Sequence, residues 1–357
     1  MPRISVQLLV YNESTEVIDR LMASLAQVDY PRDRWQLVIV NNFCIGHDLA
    51  SYIRSRWTQQ PRLPKTDVRV QNPNLGFAGG HNVAFGLSRS FAPDFIYLLN
   101  ADAHVEPTFL SRIVEHAKRH PKAAIVQSRI MLNQQPELLN SSGNAMHFLG
   151  FGYSLGYRQR PDTDDDRLSM FYASGAGMLV RTSVLDKING LFDRSYFMYH
   201  EDLDLSWRAR LAGYDIGYAP DSVIFHRYEF SRSIQKFYWM ERNRHLTNLV
   251  CYRWRTILLL LPVSLVMELG TLLFALRSGW AKEKMRAWAH LLKPSTWKWI
   301  TSRRRLIRMI RVATDQEMLA RMVGVIVNQE IDRPLLTRLV NPFFDLAFRV
   351  LKFLVRW

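Results

Sequence analysis

Cysteine is scarce in this chain of 357 residues, which has only Cys44 and Cys251. Two isolated cysteines show neither the CxxC spacing of a zinc site nor a disulfide framework. We therefore expect a protein that works in a reducing, cytoplasmic setting. The opening stretch "ISVQLLVY" lacks the basic, apolar and cleavage segments of a secretory signal, so we expect none.

An excess of one charge is absent from residues 1–240, which hold 26 Lys and Arg against 24 Asp and Glu. Residues 241–357 hold 21 against 8, so most of the net charge of +15 lies there. A strongly basic region is typical of proteins that bind nucleic acid or an anionic membrane. We therefore predict two regions with different roles, divided at residue 240.

Strand-like and helix-like stretches alternate in the first region. The expected strands are "ISVQLLVY", "WQLVIVNN", "DVRVQNP", "FIYLLNAD" and "AAIVQSRIML". Helical spacing of apolar residues appears in residues 14–27, and a second helix runs through "FLSRIVEHAKRH". Strands separated by such helices predict an α/β fold with a mostly parallel, helix-covered sheet.

Polar residues follow three of these strands at the point where each strand ends. They are Tyr11, Asn12 and Glu13, then Asn41 and Asn42, then Asn100 and Asp102. Ordinary turn chemistry can explain each cluster, since Asn and Asp favour turns. In parallel sheets, however, ligands bind beyond the carboxyl ends of the strands, and the recurrence favours a binding site.

A glycine-rich turn, "NPNLGFAGGHN", opens a predicted helix after the third strand. Gly76, Gly79 and Gly80 permit close backbone approach, and a helix N-terminus suits a phosphate. The turn is not the GxGxxG fingerprint, so a nicotinamide site is not expected.

Asp102 lies just past an apolar strand in "YLLNADAHVEP". A carboxylate there can hold a hard divalent cation that also binds a diphosphate. The alternative, a helix cap, is weak because the next helix begins near Pro107. His226 follows another strand, "SVIFH"; a lone histidine is usually structural, but this one could be a second metal ligand.

The stretch "YHEDLDLSWR" places three carboxylates just before an arginine. Asp204 and Arg208 are four residues apart and would pair on one helix face. Glu201 and Asp202 stand at the predicted helix start, and spacing alone does not decide which of them does chemistry.

The C-terminal region contains the apolar run Thr256–Leu276, which is long enough to span a bilayer. Pro262 and Glu268 interrupt it and leave room for a kinked or surface-lying helix. The last 17 residues place apolar and basic side chains on separate stripes, as in an interfacial helix on an anionic membrane. The alternative is a helical subdomain packed on the first region. Nucleic acid is not expected, because the basic residues lie among apolar stripes.

Taken in order, the stretches "SVQLLVYN", "LVIVNN", "NLGFAGGHN", "YLLNADAHVEP", "SGAGMLVR", "HEDLDLSWR", "YAPDSVIFH" and "ERNRHL" resemble a known family. The chain is similar to the family 2 glycosyltransferases of the GT-A fold, in particular to their rhamnosyltransferase-like branch. The resemblance covers about residues 3–250. It implies a GT-A catalytic domain over 1–240, while the charge and the apolar stripes of residues 241–357 predict a helical, membrane-associating region there.

The resemblance also implies how a nucleotide-sugar donor binds. The residues it places at the donor are Val10, Tyr11, Glu13, Asn41, Asn74, Gly76, Gly80, Asn82, Asn100, Ala101 and Asp102. Among them Asn41 would face the base, where the family usually has an aspartate, so the base preference stays open. Asp102 would bind Mn²⁺ or Mg²⁺ with His226, although the DxD-type motif here is Asn100-Ala101-Asp102, one carboxylate short.

By the same resemblance Asp202 would be the catalytic base, supported by Glu201. Residues near the acceptor or the diphosphate would be Ser174, Gly175, Arg242 and Asn243. Because inverting sugar transfer needs one base and no acid for the leaving group, a single positioned carboxylate fits this chemistry.

The expected activity is inverting transfer of a sugar, L-rhamnose from dTDP-rhamnose or otherwise a sugar from a UDP-sugar. The expected acceptor is a hydroxyl of a polyprenyl-diphosphate-linked saccharide in cell-surface polysaccharide synthesis. We expect the protein at the cytoplasmic face of the inner (plasma) membrane, peripheral or monotopic, and leave a homo-oligomer open. The alternatives are an inactive nucleotide-binding membrane scaffold and a membrane-associated nucleotidyltransferase.

Overall fold

A mixed, mostly parallel sheet organises the fold, in a computed structural model that describes residues 1–44, 48–161, 170–227, 236–327 and 336–357. The strands are β1 (Ile4–Val10), β2 (Trp35–Asn41), β3 (Lys65–Val70), β4 (Phe95–Asn100), β5 (Ala103–Val105), β6 (Ala123–Leu132), β7 (Leu139–Ser141), β8 (Asn144–Met146), β9 (Gly152–Ser154), β10 (Gly177–Arg181) and β11 (Asp215–His226). The main sheet has the order β3-β2-β1-β4-β10-β6-β11-β5, with β7 paired to β6, while β8 and β9 form a separate pair. All five strands expected from the sequence are present.

Parallel pairing joins β1 to β2 and β4, β2 to β3, and β6 to β11. Strands β10, β5 and β7 pair antiparallel with their neighbours. The predicted α/β class is therefore confirmed. The antiparallel β10 lies between β4 and β6, which brings the turn before it to the carboxyl end of β4.

The helices are α1 (Thr15–Leu25), α2 (Leu49–Arg56), α3 (Gly76–Ser88), α4 (Phe109–Arg119), α5 (Thr182–Leu185), α6 (Glu201–Leu211), α7 (Lys236–Cys251), α8 (Trp254–Arg277), α9 (Ala281–Leu291), α10 (Pro294–Ile310), α11 (Asp315–Ala320) and α12 (Asn341–Leu354). Short 3₁₀ segments lie at Arg32–Arg34, Arg89–Phe91, Asp186–Ile188 and Arg194–Tyr196, and a π-helical turn lies at Leu336–Val340.

Two apolar layers cover the sheet, because successive side chains of a strand point to opposite faces. In β4, Tyr97 and Leu99 join the layer under α1, α2 and α4, whereas Ile96 and Leu98 join the layer that includes residues of α5 and α6. Alternate side chains of β4 thus contribute to both apolar layers, and the residues from Phe95 to Leu99 are all apolar or aromatic.

A third apolar cluster joins α6 to the C-terminal helices. It packs Leu203 and Trp207 of α6 against Leu246 of α7, Met267 of α8 and Phe348 of α12. Helix α7 crosses the predicted boundary at residue 240, so the chain passes between the two regions within a helix. The C-terminal helices are therefore packed onto the sheet-containing region through α6 and α7.

Helix α8 is long and apolar enough to cross a membrane by length and composition. Only 11% of its most apolar window is buried. Its Glu268 points to the protein, where it accepts hydrogen bonds from Lys284 Nζ at 2.9 Å and Trp288 Nε1 at 2.9 Å. One side of α8 is thus fixed to the body of the molecule and the other side is exposed.

Candidate active site

The carboxyl ends of three parallel strands meet at one edge of the sheet. Val10 at the end of β1 is in register with Asn41 of β2, and Leu9 is in register with Asn100 of β4. The polar residues that follow these strands are therefore neighbours, as expected. Asn41 is buried, and its Oδ1 accepts a hydrogen bond from Cys44 N at 3.3 Å.

The loop after β1 keeps its polar groups close to the backbone. The Tyr11 amide donates to the Glu13 carboxylate, and Tyr11 is 44% exposed just after the end of β1. An exposed ring beside a buried Asn41 can stack on a planar ligand such as a base.

Asp102 and His226 come together, as predicted, although they lie far apart in the chain. The Nε2 atom of His226 lies 3.2 Å from Asp102 Oδ1 and 3.0 Å from Asn100 Nδ2. On the other side of the ring, Nδ1 lies 3.0 Å from Asn140 Oδ1. An acceptor there favours the tautomer with its proton on Nδ1, so that Nε2 accepts from Asn100 Nδ2 and lies beside Asp102, where it could bind a cation instead.

This donor set fits a divalent cation. A carboxylate oxygen and a neutral imidazole nitrogen suit Mn²⁺, which also accepts water and phosphate oxygens. A hydrogen bond donated by Nδ1 to Asn140 Oδ1 is the arrangement that orients a metal-bound histidine. Ala101 is buried between the two polar residues and adds no ligand atom.

Asp202 lies at the start of α6, where its carboxylate is held by two backbone amides. Its Oδ2 accepts from Gly175 N at 3.1 Å, and its Oδ1 accepts from Leu203 N at 2.8 Å. Burial raises the pKa of Asp202, while these hydrogen bonds oppose the rise. The carboxylate is therefore oriented and still able to accept a proton.

Glu201 is buried next to Asp202 but is held differently. Its Oε2 has no hydrogen-bond partner within the described part of the chain. Burial, followed by the charge of Asp202, raises its pKa well above the usual value. Glu201 thus favours its protonated form.

Asp204 and Arg208 form the predicted helix pair. Arg208 Nε donates to Asp204 Oδ2 at 2.8 Å, and both side chains are buried. Arg208 also donates to the backbone carbonyls of Ile188, Gly190 and Leu191. This pair holds α6 to the preceding loop and is not part of the open site.

The glycine-rich turn does open a helix, but its amides do not lie free for a phosphate. Gly76 N donates to Asn74 Oδ1 at 2.7 Å, and Ala78 N donates to Phe197 O at 3.1 Å. These two amides therefore have protein partners, and a phosphate at this helix start stays a prediction. Asn42 also binds the turn, because its side-chain amide contacts Asn74 Oδ1 at 2.8 Å.

Gly76, Gly79 and Gly80 at the start of α3 allow close packing inside the protein. Gly76 has a φ of +69°, and a Cβ there would lie 2.3 Å from Phe197 O. A Cβ on Gly80 would lie 2.2 Å from Leu9 Cδ1, and a Cβ on Gly79 2.6 Å from Leu75 Cβ. The close approach predicted for these glycines is real, but the partner is the protein rather than a ligand.

Asn82, Arg242 and Asn243 also contact protein backbone in the structure. The side-chain amide of Asn82 makes two hydrogen bonds to the backbone of Phe192. Its Nδ2 donates to Phe192 O at 2.8 Å, and its Oδ1 accepts from Phe192 N at 3.2 Å. Arg242 donates to Ser195 O and Tyr196 O, and its guanidinium lies 4.4 Å from the Trp239 ring centre. These contacts fix loops around the site, so the donor and acceptor roles implied by the resemblance stay predictions.

The turn Ser174–Gly175–Ala176 connects the two halves of the site. Gly175 N donates to Asp202, and Asn100 N donates to Ala176 O at 3.1 Å. Two adjacent residues, Gly175 and Ala176, therefore link Asp202 to the end of the strand that precedes Asp102.

A cavity of about 630 Å³ adjoins Asp102. Its lining residues are Ser14, Glu16, Val17, Arg20, Asp102, Ala103, Asn133, Gln134 and Arg227. The two arginines were not found in the sequence as site residues, because Arg20 lies inside an ordinary amphipathic helix. Cations beside a metal candidate suit an anionic group such as a diphosphate.

A family profile described as "Glycosyltransferase like family 2" matches residues 2–248. Among curated proteins, the chain is 26% identical to a probable glucomannan 4-beta-mannosyltransferase of Oryza sativa over 222 residues, covering 61% of this chain and 36% of that protein. It is 26% identical to an N-acetylglucosaminyl-diphospho-decaprenol L-rhamnosyltransferase of Mycobacterium tuberculosis over 187 residues, covering 46% of this chain and 60% of that protein. The chain thus spans less than two thirds of these relatives.

Solved structures share the fold. A Pyrobaculum calidifontis mannosyltransferase in complex with GDP-Man and Mn²⁺ matches with a TM-score of 0.52 and 17% identity, covering 87% of this chain and 86% of that one. S. aureus TarS 1-349 in complex with UDP-GlcNAc matches with a TM-score of 0.51 and 15% identity, covering 98% and 90%.

Proposed function

The chain belongs to the family 2 glycosyltransferases, which use nucleotide-sugar donors, and on that premise we propose that it transfers a sugar to a saccharide hydroxyl with inversion. The observation that carries the proposal is the oriented Asp202 carboxylate, linked through Gly175 to the strand end that bears Asp102.

In the proposed reaction, Asp202 accepts the proton of the acceptor hydroxyl as that oxygen attacks the anomeric carbon. The new carbon–oxygen bond forms on one face while the bond to the diphosphate breaks on the other, and a nucleoside diphosphate leaves. No second acid is needed, because the departing diphosphate is a stable anion once its charge is balanced. Each Asp202 oxygen accepts one backbone hydrogen bond, so lone pairs remain for the acceptor.

Asp102 and His226 would hold Mn²⁺ or Mg²⁺, which supplies positive charge to the diphosphate. The Mn²⁺ in the Pyrobaculum enzyme, which shares the fold, supports this assignment. Arg20 and Arg227 line the adjoining cavity and would add charge on the same group.

The proposed donor is dTDP-L-rhamnose, and the proposed acceptor is a polyprenyl-diphosphate-linked saccharide. The mycobacterial relative supports both, since its name specifies an L-rhamnosyltransferase acting with a decaprenol diphosphate. The GDP-Man-bound Pyrobaculum mannosyltransferase and the UDP-GlcNAc-bound TarS support GDP- and UDP-sugars as the competing donors.

We also propose that the protein lies on the cytoplasmic face of a membrane. Thirteen of the 23 exposed large apolar side chains in the described ranges belong to α8 and α12, which contact each other. Exposed basic residues border them at Arg253, Arg255, Arg277, Lys282, Arg349, Lys352 and Arg356. Because Glu268 fixes the opposite side of α8 to the protein, we propose that α8 lies along the bilayer surface and does not cross it.

The test is transfer by the purified protein in detergent with N-acetylglucosaminyl-diphospho-polyprenol and dTDP-rhamnose, UDP-GlcNAc or GDP-mannose. We expect glycolipid formation with release of a nucleoside diphosphate, lost on chelation and restored by Mn²⁺. Release of inorganic diphosphate from a nucleoside triphosphate would instead show a nucleotidyltransferase, and donor binding without turnover would show a scaffold.

The base is tested separately with Asp202→Asn. We expect it to fold and bind donor but to lose turnover by about 100-fold or more. The exposed Asp186→Asn serves as the control. If Asp202→Asn keeps the turnover of the unmodified protein, Asp202 is not the base.

A further inference from the structure

Gln127 is a fully buried glutamine in strand β6, where Ser128 and Arg129 follow it. Its Oε1 accepts from Ser174 N at 2.8 Å and from Asn144 Nδ2 at 3.0 Å, and its Nε2 donates to Ser141 Oγ at 3.0 Å. Burying an amide costs free energy unless its polar atoms are bonded. Both polar atoms of the Gln127 side chain are hydrogen-bonded. One of these bonds comes from Ser174, in the turn that contacts Asp202.

The Ser174–Ala176 turn is held on both sides of this bond. Gly175 N donates to Asp202 Oδ2 at 3.1 Å, and Ala176 O accepts from Asn100 N at 3.1 Å. Just before the turn, Ala173 N donates to Ser206 Oγ at 3.2 Å. The position of Gly175 N relative to Asp202 therefore depends on where Ser174 is held.

The turn also has little space to move. A Cβ on Gly175 would lie 3.0 Å from Phe77 Cζ and 3.8 Å from Asp202 Cβ. A small shift would bring this backbone against Phe77 or take its amide away from Asp202. Gln127 sits beneath the turn and is the side chain that binds the amide of its first residue.

We propose that Gln127 is a positioning residue for sugar transfer. It holds Ser174 in place, so that the Gly175 amide orients the Asp202 carboxylate and the Ala176 carbonyl holds Asn100 next to the turn. The inference rests on the proposed function for its kinetic consequence. Its structural consequence, the position of the turn, does not.

The two consequences give different readouts. Burial raises the pKa of Asp202, and the hydrogen bond from Gly175 opposes that rise. Glu201 is the titratable group next to Asp202 on its own helix, and the packed turn has no titratable side chain. Loss of the Gly175 bond should therefore move the acid limb of the kcat profile to higher pH, whereas a smaller folded fraction would lower kcat equally at every pH.

The variant is Gln127→Leu, and the matched control is Gln7→Leu. Gln7 is a fully buried glutamine in β1, and neither polar atom of its side chain has a partner within the described ranges. The same change there removes no bond to the turn. Ser141→Ala, which removes the partner of Gln127 Nε2 together with the bonds of Ser141 Oγ to Gly143 and Asn144, is the milder variant if Gln127→Leu does not fold.

We expect kcat of Gln127→Leu to fall about 10- to 100-fold with donor KM little changed, since a small misplacement of a reacting group has this effect. The acid limb should move upward, and hydrogen exchange of peptides covering 174–176 should speed up. Gln7→Leu should change none of these, and Ser141→Ala should act in the same direction as Gln127→Leu.

Unchanged exchange at 174–176 in both Gln127→Leu and Ser141→Ala would overturn the inference, whatever the activity. So would a uniform loss of kcat with an unmoved acid limb. If the unmodified protein transfers no sugar while exchange changes as expected, the proposed function fails and the positioning of the turn stands.

Discussion

Glu201 and Asp202 are adjacent carboxylates that the structure separates by their contacts. Asp202 accepts two backbone hydrogen bonds, whereas Glu201 leaves Oε2 without a partner in the described ranges. A base must be ionised and oriented, so Asp202 suits the role better. Burial and the charge of Asp202 raise the pKa of Glu201, so Glu201 suits a hydrogen-bond donor.

We predict that Glu201→Gln stabilises the protein at neutral and alkaline pH. The pKa of Glu201 is raised in the folded state, so its contribution to stability is full below the unfolded pKa and is lost as pH rises through the folded pKa. Gln has no charge to bury. The melting temperature of Glu201→Gln should therefore exceed that of the unmodified protein at pH 8, and the two should converge near pH 4.

Melting curves from pH 4 to 9 measure this effect, with Glu115→Gln on α4 as the exposed control. A difference that stays constant across this range, or that shrinks as pH rises, would contradict a buried, protonated Glu201.

Sequence reasoning reached residues whose signal is local. The Asp204–Arg208 pair follows from four-residue spacing on a helix and is confirmed at 2.8 Å. His226 could be proposed as a second metal ligand from its place after a strand, but its approach to Asp102, at 3.2 Å, is seen only in the structure. The sequence did not point to Gln127 as a site residue, because a polar residue within a strand does not reveal which backbone amide its side chain will bind.

Helix α6 begins directly after a loop with unusual backbone conformations. Phe197, Tyr199 and His200 have φ values of 63°, 65° and 67°, which residues other than glycine rarely adopt. The side-chain nitrogen Nδ2 of Asn243, on α7, lies near three carbonyl oxygens of this loop. The distances are 2.9 Å to Tyr196 O, 2.9 Å to Met198 O and 2.7 Å to Tyr199 O. One buried side chain thus secures the loop that places Glu201 and Asp202.

We predict that Asn243→Asp destabilises the protein by at least about 2 kcal/mol, because a carboxylate replaces the donor that these carbonyls require. Turnover should fall with it, since the loop sets the start of α6. Asn248→Asp on the same helix is the control, because Asn248 donates to one carbonyl, Leu149 O, at 2.9 Å. Equal denaturation midpoints for the two variants would contradict this role of Asn243.

Elements were predictable where periodicity was strong. The five expected strands and helices α1 and α4 are present because alternation and helical spacing determine which face is buried. The role of the α3 glycines was not, since Gly80 packs against Leu9 on a strand about 70 residues earlier. Local sequence shows that a glycine permits close approach but not what approaches it.

At the scale of the molecule, the charge division at residue 240 indicated a different role for the C-terminal region but not how it attaches. The sheet region and the C-terminal helices share an apolar cluster through α6 and α7. Yet α8 and α12 keep apolar side chains outside as well as inside. A helix apolar on both sides needs a second apolar partner, and the basic border makes an anionic bilayer the proposed one.

We predict that the double variant Leu269→Glu and Phe353→Glu loses binding to vesicles that contain anionic lipid. These side chains are 60% and 69% exposed, on α8 and α12. Removing two such groups from the bilayer should weaken partitioning at least about 10-fold, since burying one large apolar side chain is worth about 1.5–3 kcal/mol. Val70→Glu, at a 53% exposed apolar residue on β3, is the control and should bind as the unmodified protein does.

Vesicle co-sedimentation at low and high salt measures the binding of each variant. Salt should weaken binding of the unmodified protein without abolishing it, because apolar burial is not screened as the charges are. Binding that vanishes with salt alone and ignores the double variant would show attachment by charge, with α8 and α12 away from the bilayer.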